Sequence, residues 1–188
     1  MKIRHTLYCS PLLLTPVFSA QAGECDNAAV PATTPGSDFE VLGDGSTVRH
    51  EPTDRVWARC SLGQEWNAAT ESCDGTADNF HWREALEEVA DINANGGFAG
   101  HSGWRVPNIN ELESIVERCK HAPAINEEIF PDSSTFFYWS STPSVAFSND
   151  DTRAWQINFQ DGGVSMAGRA SDTFYENLVR IVRDTDGQ

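Results

Sequence analysis

Trp104-Arg105-Val106-Pro107-Asn108-Ile109-Asn110-Glu111-Leu112 is the stretch that decides how this chain folds. Pro107 disfavours the helical region for Val106, so the residues from Trp104 enter a helix rather than continue one. Asn108 is the expected N-cap, and Glu111, three residues on, can reach back to the free backbone N–H groups. Ile109, Leu112, Ile115, Val116 and Cys119 form one apolar stripe, which places Cys119 on the buried side of this helix. Trp104, ahead of the helix-entry proline, and Trp139, in the aromatic run Phe136 to Ser141, read as core indoles rather than sugar platforms. Arg105 is expected to order nearby carbonyls or a carboxylate.

Working outward, Trp82, Leu86, Val89 and Ile92 recur at helical spacing with Ala85 beside them. They predict a helix from about Phe80 to Asn95, capped by Asn79 and ended by Gly96-Gly97. Gly100-His101-Ser102-Gly103 lacks the Gly-x-Ser-x-Gly spacing of a nucleophile turn and reads as a tight link to Trp104. Strands are expected at Phe39 to Leu42, Thr47 to Arg49 and Val56 to Arg59, the first two joined by Gly43-Asp44-Gly45-Ser46. Downstream, Trp155, Ile157 and Phe159 alternate with Gln156, Asn158 and Gln160, the period of a half-buried strand. Asp161-Gly162-Gly163 turns it into Val164-Ser165-Met166, and Leu178 to Arg183 is the last expected strand. Two helices with mostly antiparallel strands make the class α+β. The polar stretches 144–152 and 167–177 are the long loops, where binding residues are expected.

Of 188 residues, 13 are Lys or Arg and 28 are Asp or Glu. Residues 1–22 read as a secretory signal: Lys2, Arg4 and His5 lead, a short apolar run follows, and Ser19-Ala20-Gln21-Ala22 offers the small residues of a cleavage site. That run is too short for a membrane anchor, and Glu24 before Cys25 does not suit lipoprotein processing. Without Lys2 and Arg4 the basic count falls to 11 against 28 acids, a net charge of −17. Such a balance repels phosphate backbones and anionic lipid, so neither nucleic acid binding nor membrane insertion is expected. Residues 23–37 read as an extended arm and residues 38–188 as one domain.

Cys9 leaves with the signal, so four cysteines remain, and export with an even number favours two disulfides. Three pairings exist; Cys60 with Cys73 around Trp66, and Cys25 with Cys119, are the pair favoured. A zinc site is disfavoured, because Cys60 and Cys73 are too far apart for a knuckle and no paired histidine follows.

In this order the pieces resemble the Lcl C-terminal domain family, named for the C-terminal domain of the Legionella collagen-like adhesin. The matching elements are Thr47-Val48, Val56-Trp57, the Trp82–Ala85–Leu86 helix, and Gly100 to Asn108 with Glu111-Leu112 and Ile115-Val116. Phe130-Pro131, Tyr138 to Thr142, Ala154-Trp155 and Val179 to Arg183 complete the set, spanning about Phe39 to Arg183. The resemblance implies a C-type-lectin-like fold, with two helices packed on a small, mostly antiparallel sheet and long irregular loops carrying the ligand contacts. It also implies an exported adhesion module, secreted, periplasmic or at the cell surface. Three departures stand out. No collagen-like Gly-X-Y stalk precedes the domain, the Cys60–Cys73 loop looks inserted, and the acidic balance does not suit the sulfated ligands of the namesake.

The expected function is therefore non-enzymatic recognition of a glycan or cell-surface protein, with a structural subunit of a larger surface complex as the alternative. Arg153, Arg169, Asp172, Tyr175 and Asn177 are the expected contacts, and Phe147 is a further aromatic in the loops. No cofactor is expected. Asn149, Asp150, Asp151 and Asp161 offer oxygen donors of the kind Ca2+ takes, but the calcium-site tripeptides of C-type lectins and an EF-hand loop are missing, so they read as solvated carboxylates. His50, His81, His101 and His121 lie far apart and form no HExxH-like pair.

Overall fold

A computed structural model describes residues 25–26, 29–144, 153–169 and 175–185; the segment 1–22 read as a signal lies outside these. In chain order the elements are β1 Phe39–Leu42, β2 Thr47–His50, β3 Arg55–Ala58, β4 Glu65–Asn67, β5 Ser72–Asp74, α1 Trp82–Ala94, α2 Ile109–Glu113, β6 Phe137–Ser144, β7 Arg153–Asn158, β8 Gly163–Gly168 and β9 Val182–Asp184. The class is α+β, as the residue patterns imply. The strands divide into three antiparallel sheets: β1-β2-β3-β9, the hairpin β4-β5, and β6-β7-β8.

Two rows of apolar residues hold the sheets together. Val48 of β2 faces Trp57 of β3, and both are buried against Leu112, Ile115 and Phe130. Trp104 and Trp139 are buried as expected, packing with Ala85, Val89 and Ile181 in the second cluster. Both indole N–H groups are satisfied: Trp139 donates to Phe80 O, and Trp104 donates to Phe98 O and His101 O. The Gly100-to-Gly103 turn is thus the ledge on which Trp104 rests. Gly97 is required there, because a Cβ at its φ of +79° would lie 1.9 Å from His101 O.

The motif around Asn108 forms as read. Asn108 Oδ1 accepts from Glu111 N, and Glu111 Oε2 accepts from Asn108 N. Arg105 clamps Glu111 through two bonds of 2.6 and 2.7 Å and reaches Asp184 of β9 at 3.0 Å. Burial alone would raise the Glu111 carboxyl, but hydrogen bonds from Arg105, Asn108 N and Arg55 outweigh it and hold the group below the usual carboxylate range.

Four expectations are corrected in detail. First, α1 begins at Trp82 rather than near Phe80, and His81 is its cap in place of Asn79, with Glu84 accepting from His81 N. Second, α2 has only five residues. Ile115, Val116 and Cys119 are buried, yet Val116 bridges to Ile125 and Glu117 N donates to Ala124 O. This strand-like pairing draws the backbone out of the helix, so Cys119 lies beyond α2. Third, Gln156 of β7 is buried and Trp155 only half-buried. Asn177 covers that face, donating to Gln156 Oε1, while Gln156 donates to Ser165 Oγ. Fourth, the last strand is short. Leu178 bridges Tyr138 of β6 while Val182 pairs with Trp57 of β3, so the segment ties two sheets rather than extending one.

Both favoured disulfides are present, Cys60–Cys73 closing the β4-β5 hairpin and Cys25–Cys119 tying down the arm. The arm is ordered on its own domain. Thr33 and Thr34 each donate through backbone N–H and hydroxyl to the buried Glu117 carboxylate, and Thr34 O accepts from Asn126.

Candidate functional site

The register of the β6-β7-β8 sheet sets three strand ends that border the long polar stretches in one row. Ser144, Arg153 and Gly168 form its end row, so the stretch 145–152 leaves and re-enters beside the strand end from which Arg169 departs. Residues on either side of 170–174 meet the start of α1. The Arg169 guanidinium lies 5.3 Å over the Trp82 ring, and Glu176 Oε1 lies 3.4 Å from Nε2 of the neighbouring His81. Trp82 is itself fixed, donating to Ser140 O of β6 at 2.7 Å.

Among the residues expected to touch a ligand, Arg153, Arg169 and Tyr175 are brought to this end. Arg153 is exposed, and Tyr175 presents a ring that is 54 % exposed. Asn177 lies below the surface at 3 % exposure; its backbone pairs with Phe80 and its amide donates to Gln156, so it is a structural tie rather than a contact residue. Asp172 and Phe147 lie outside the described residues, as do Asn149, Asp150 and Asp151. The sequence reading missed the contribution of His81 and Trp82. Their spacing assigns Trp82 to the helix core, and only the fold turns its ring toward Arg169.

Among the described residues, Cys25, Glu117 and Cys119 are the group with metal-ligand spacing. The two cysteines form a disulfide and the Glu117 carboxylate accepts from Thr33, Thr34 and Cys119 N, so the cluster is a structural tie. Asp161 Oδ1 accepts from Gly163 N and braces the β7-β8 turn. Burial pushes the His50 imidazole down; it stacks on Phe39 at 4.7 Å, with Nδ1 2.8 Å from Thr53 Oγ1. Arg180 is wholly buried over the Phe130 and Tyr138 rings and donates to Ala58 O, Arg59 O and Ser133 Oγ. These buried titratable groups are each tied to structural partners.

The family model of the Lcl C-terminal domain matches residues 46–183. The chain belongs to the Lcl C-terminal domain family. That stretch runs from β2 to β9 and includes the loop end, both tryptophan pedestals and the Cys60–Cys73 hairpin. The family is adhesin-related rather than a known enzyme family. No curated protein matches the chain.

Proposed function

We propose that this protein is an exported, non-enzymatic adhesion module, C-type-lectin-like in fold, that recognises a glycan or a cell-surface protein through the loop end of the β6-β7-β8 sheet. Family membership supports a module that meets external partners. The observation that carries the reading is Tyr175: a large aromatic side chain, more than half exposed, next in sequence to Glu176, which reaches His81 beside the Trp82 that Arg169 overlies. Aromatic residues with a polar tip are favoured contact groups because they bring area at little entropic cost. Export is supported by two disulfides, which persist in oxidising compartments, and no described helix is long and apolar enough to cross a membrane.

The alternative, a structural subunit assembled through the arm, has less to support it, since Thr33 and Thr34 of the arm are bonded to Glu117 and Asn126 of the same domain. An array of glycans and surface proteins tests the proposal. The wild-type chain binds a ligand there, and Tyr175→Ala together with Arg153→Ala removes the signal while the melting temperature stays within about 2 °C. Binding unchanged by both substitutions overturns it.

A further inference from the structure

A cavity of about 370 Å³ opens between the Cys60–Cys73 hairpin and the turn that enters β6. This lies in the lower part of the range typical of small-molecule sites, about 300–1,000 Å³. Its rim carries Phe136, whose ring is 51 % exposed and therefore presents a flat apolar surface to whatever occupies the cavity. Around it stand Gln64, Thr76, Asn79, Asp132 and Ser134.

The polar groups are of mixed sense, and several are held in place. Gln64 Oε1 accepts from Ser61 N, which fixes the side chain and leaves its amide N–H groups as donors. Asp132 Oδ2 accepts from Cys73 N at 2.9 Å, which ties the turn to the disulfide hairpin and leaves Oδ1 as an acceptor. Ser134 Oγ accepts from Phe136 N and keeps its own proton to donate. Asn79 and Thr76 are exposed and add a donor and an acceptor each.

This set discriminates by charge. Asp132 is the single ionic side chain of the lining, and the whole chain carries −15, so sulfates, phosphates and uronic acids are repelled. An apolar ligand would bury the amides and the carboxylate without partners. A ring whose hydroxyls each donate and accept, and whose C–H face is apolar, meets both requirements. We propose that the cavity beside Phe136 is a binding site for an uncharged pyranose residue, stacked on the Phe136 ring and hydrogen-bonded by Gln64, Asn79 and the free oxygen of Asp132. The site shares no lining residue with the loop end, although Asn79 and Leu178 flank the Phe80–Asn177 bridge that lies between the two.

The test titrates the disulfide-intact chain with the methyl glycosides of glucose, galactose, mannose and N-acetylglucosamine, followed by backbone amide NMR. At least one glycoside is expected to saturate below about 10 mM, with shifts centred on residues 64, 76, 79, 132 and 136. Phe136→Ala then weakens it by about tenfold, which is about 1.4 kcal/mol, and Phe136→Trp restores it by giving back a ring for the C–H face to stack on. Asp132→Asn keeps an acceptor for Cys73 N and tests the charge alone; it leaves neutral glycosides bound and relieves the exclusion of glucuronate. Loop variants Arg153→Ala and Tyr175→Ala leave this binding intact, which separates the two sites. No saturation by any of the four glycosides, equal binding to Phe136→Ala, or tighter binding of glucuronate by the wild type overturns the proposal.

Discussion

Replacing Glu117 by Ala removes the acceptor that anchors the arm, and the structure sets the scale of the loss. The carboxylate is 2 % exposed and accepts from five donors: Thr33 N and Oγ1, Thr34 N and Oγ1, and Cys119 N, at 2.8 to 3.1 Å. Hydrogen bonds to a charged group contribute about 1.5–3 kcal/mol each, but they are not additive, and the Thr33 donors recover water when the arm lifts. Leaving the buried Thr34 and Cys119 donors without an acceptor, at about 1–3 kcal/mol each, costs about 3–5 kcal/mol after partial relaxation. For a domain of this size that is roughly 10 °C in melting temperature. Differential scanning calorimetry on the oxidised protein reads it directly. The pH dependence carries a sign. Burial would raise the Glu117 carboxyl, but the N–H groups of Thr33, Cys119 and Thr34 outweigh it and lower the folded pKa. The stability contributed is thus fully present above the unfolded value of about 4.3 and is lost as pH falls through the folded value. Glu117→Gln should therefore melt with a flatter acid limb than the wild type. A Glu117→Ala protein melting within about 2 °C of the wild type would refute the reasoning.

Three further outcomes follow from the same geometry. Arg105→Ala and Glu111→Ala should each cost about 1.5–3 kcal/mol by urea denaturation, and the double variant should cost clearly less than their sum, because the two side chains share bidentate bonds. Gly162→Ala should destabilise by about 1–3 kcal/mol, since its φ is +73° and the new Cβ would meet Val116 Cγ1 at 2.5 Å. Replacing Cys25 and Cys119 together by Ser opens a loop of 94 residues and should cost about 4 kcal/mol, more than replacing Cys60 and Cys73, whose separation is 13.

The local chemistry of the fold was legible where one short stretch decides the outcome. Asn108 and Glu111 sit at capping distance in sequence, and the cap forms; Trp104 precedes a helix-entry proline and Trp139 lies in an aromatic run, and both are buried. The sequence misled where a distant segment competes for the backbone. Nothing local signals that Glu117 N will pair with Ala124 O and end α2 after one turn and a half. Gln156 looks like a solvent-facing residue of an alternating strand until Asn177, 21 residues on, covers it. Nor does anything local signal that the Arg180 guanidinium is buried among the carbonyl oxygens of Ala58 and Arg59, more than 120 positions away. For the loop end, the polar stretches were visible in the sequence. What places their bordering residues is the strand register through Ser144, Arg153 and Gly168, together with the α1 start that faces Arg169 and Glu176.

Hydrogen–deuterium exchange on the complex with an array-identified ligand tests most directly whether the rigid residues serve as scaffold and the loops as the recognition surface. The account predicts added protection at 153, 169 and 175–176, with the segments holding Trp104, Trp139 and Cys119 unchanged. Protection confined to those buried segments, with the loop end exchanging as in the free protein, would contradict it.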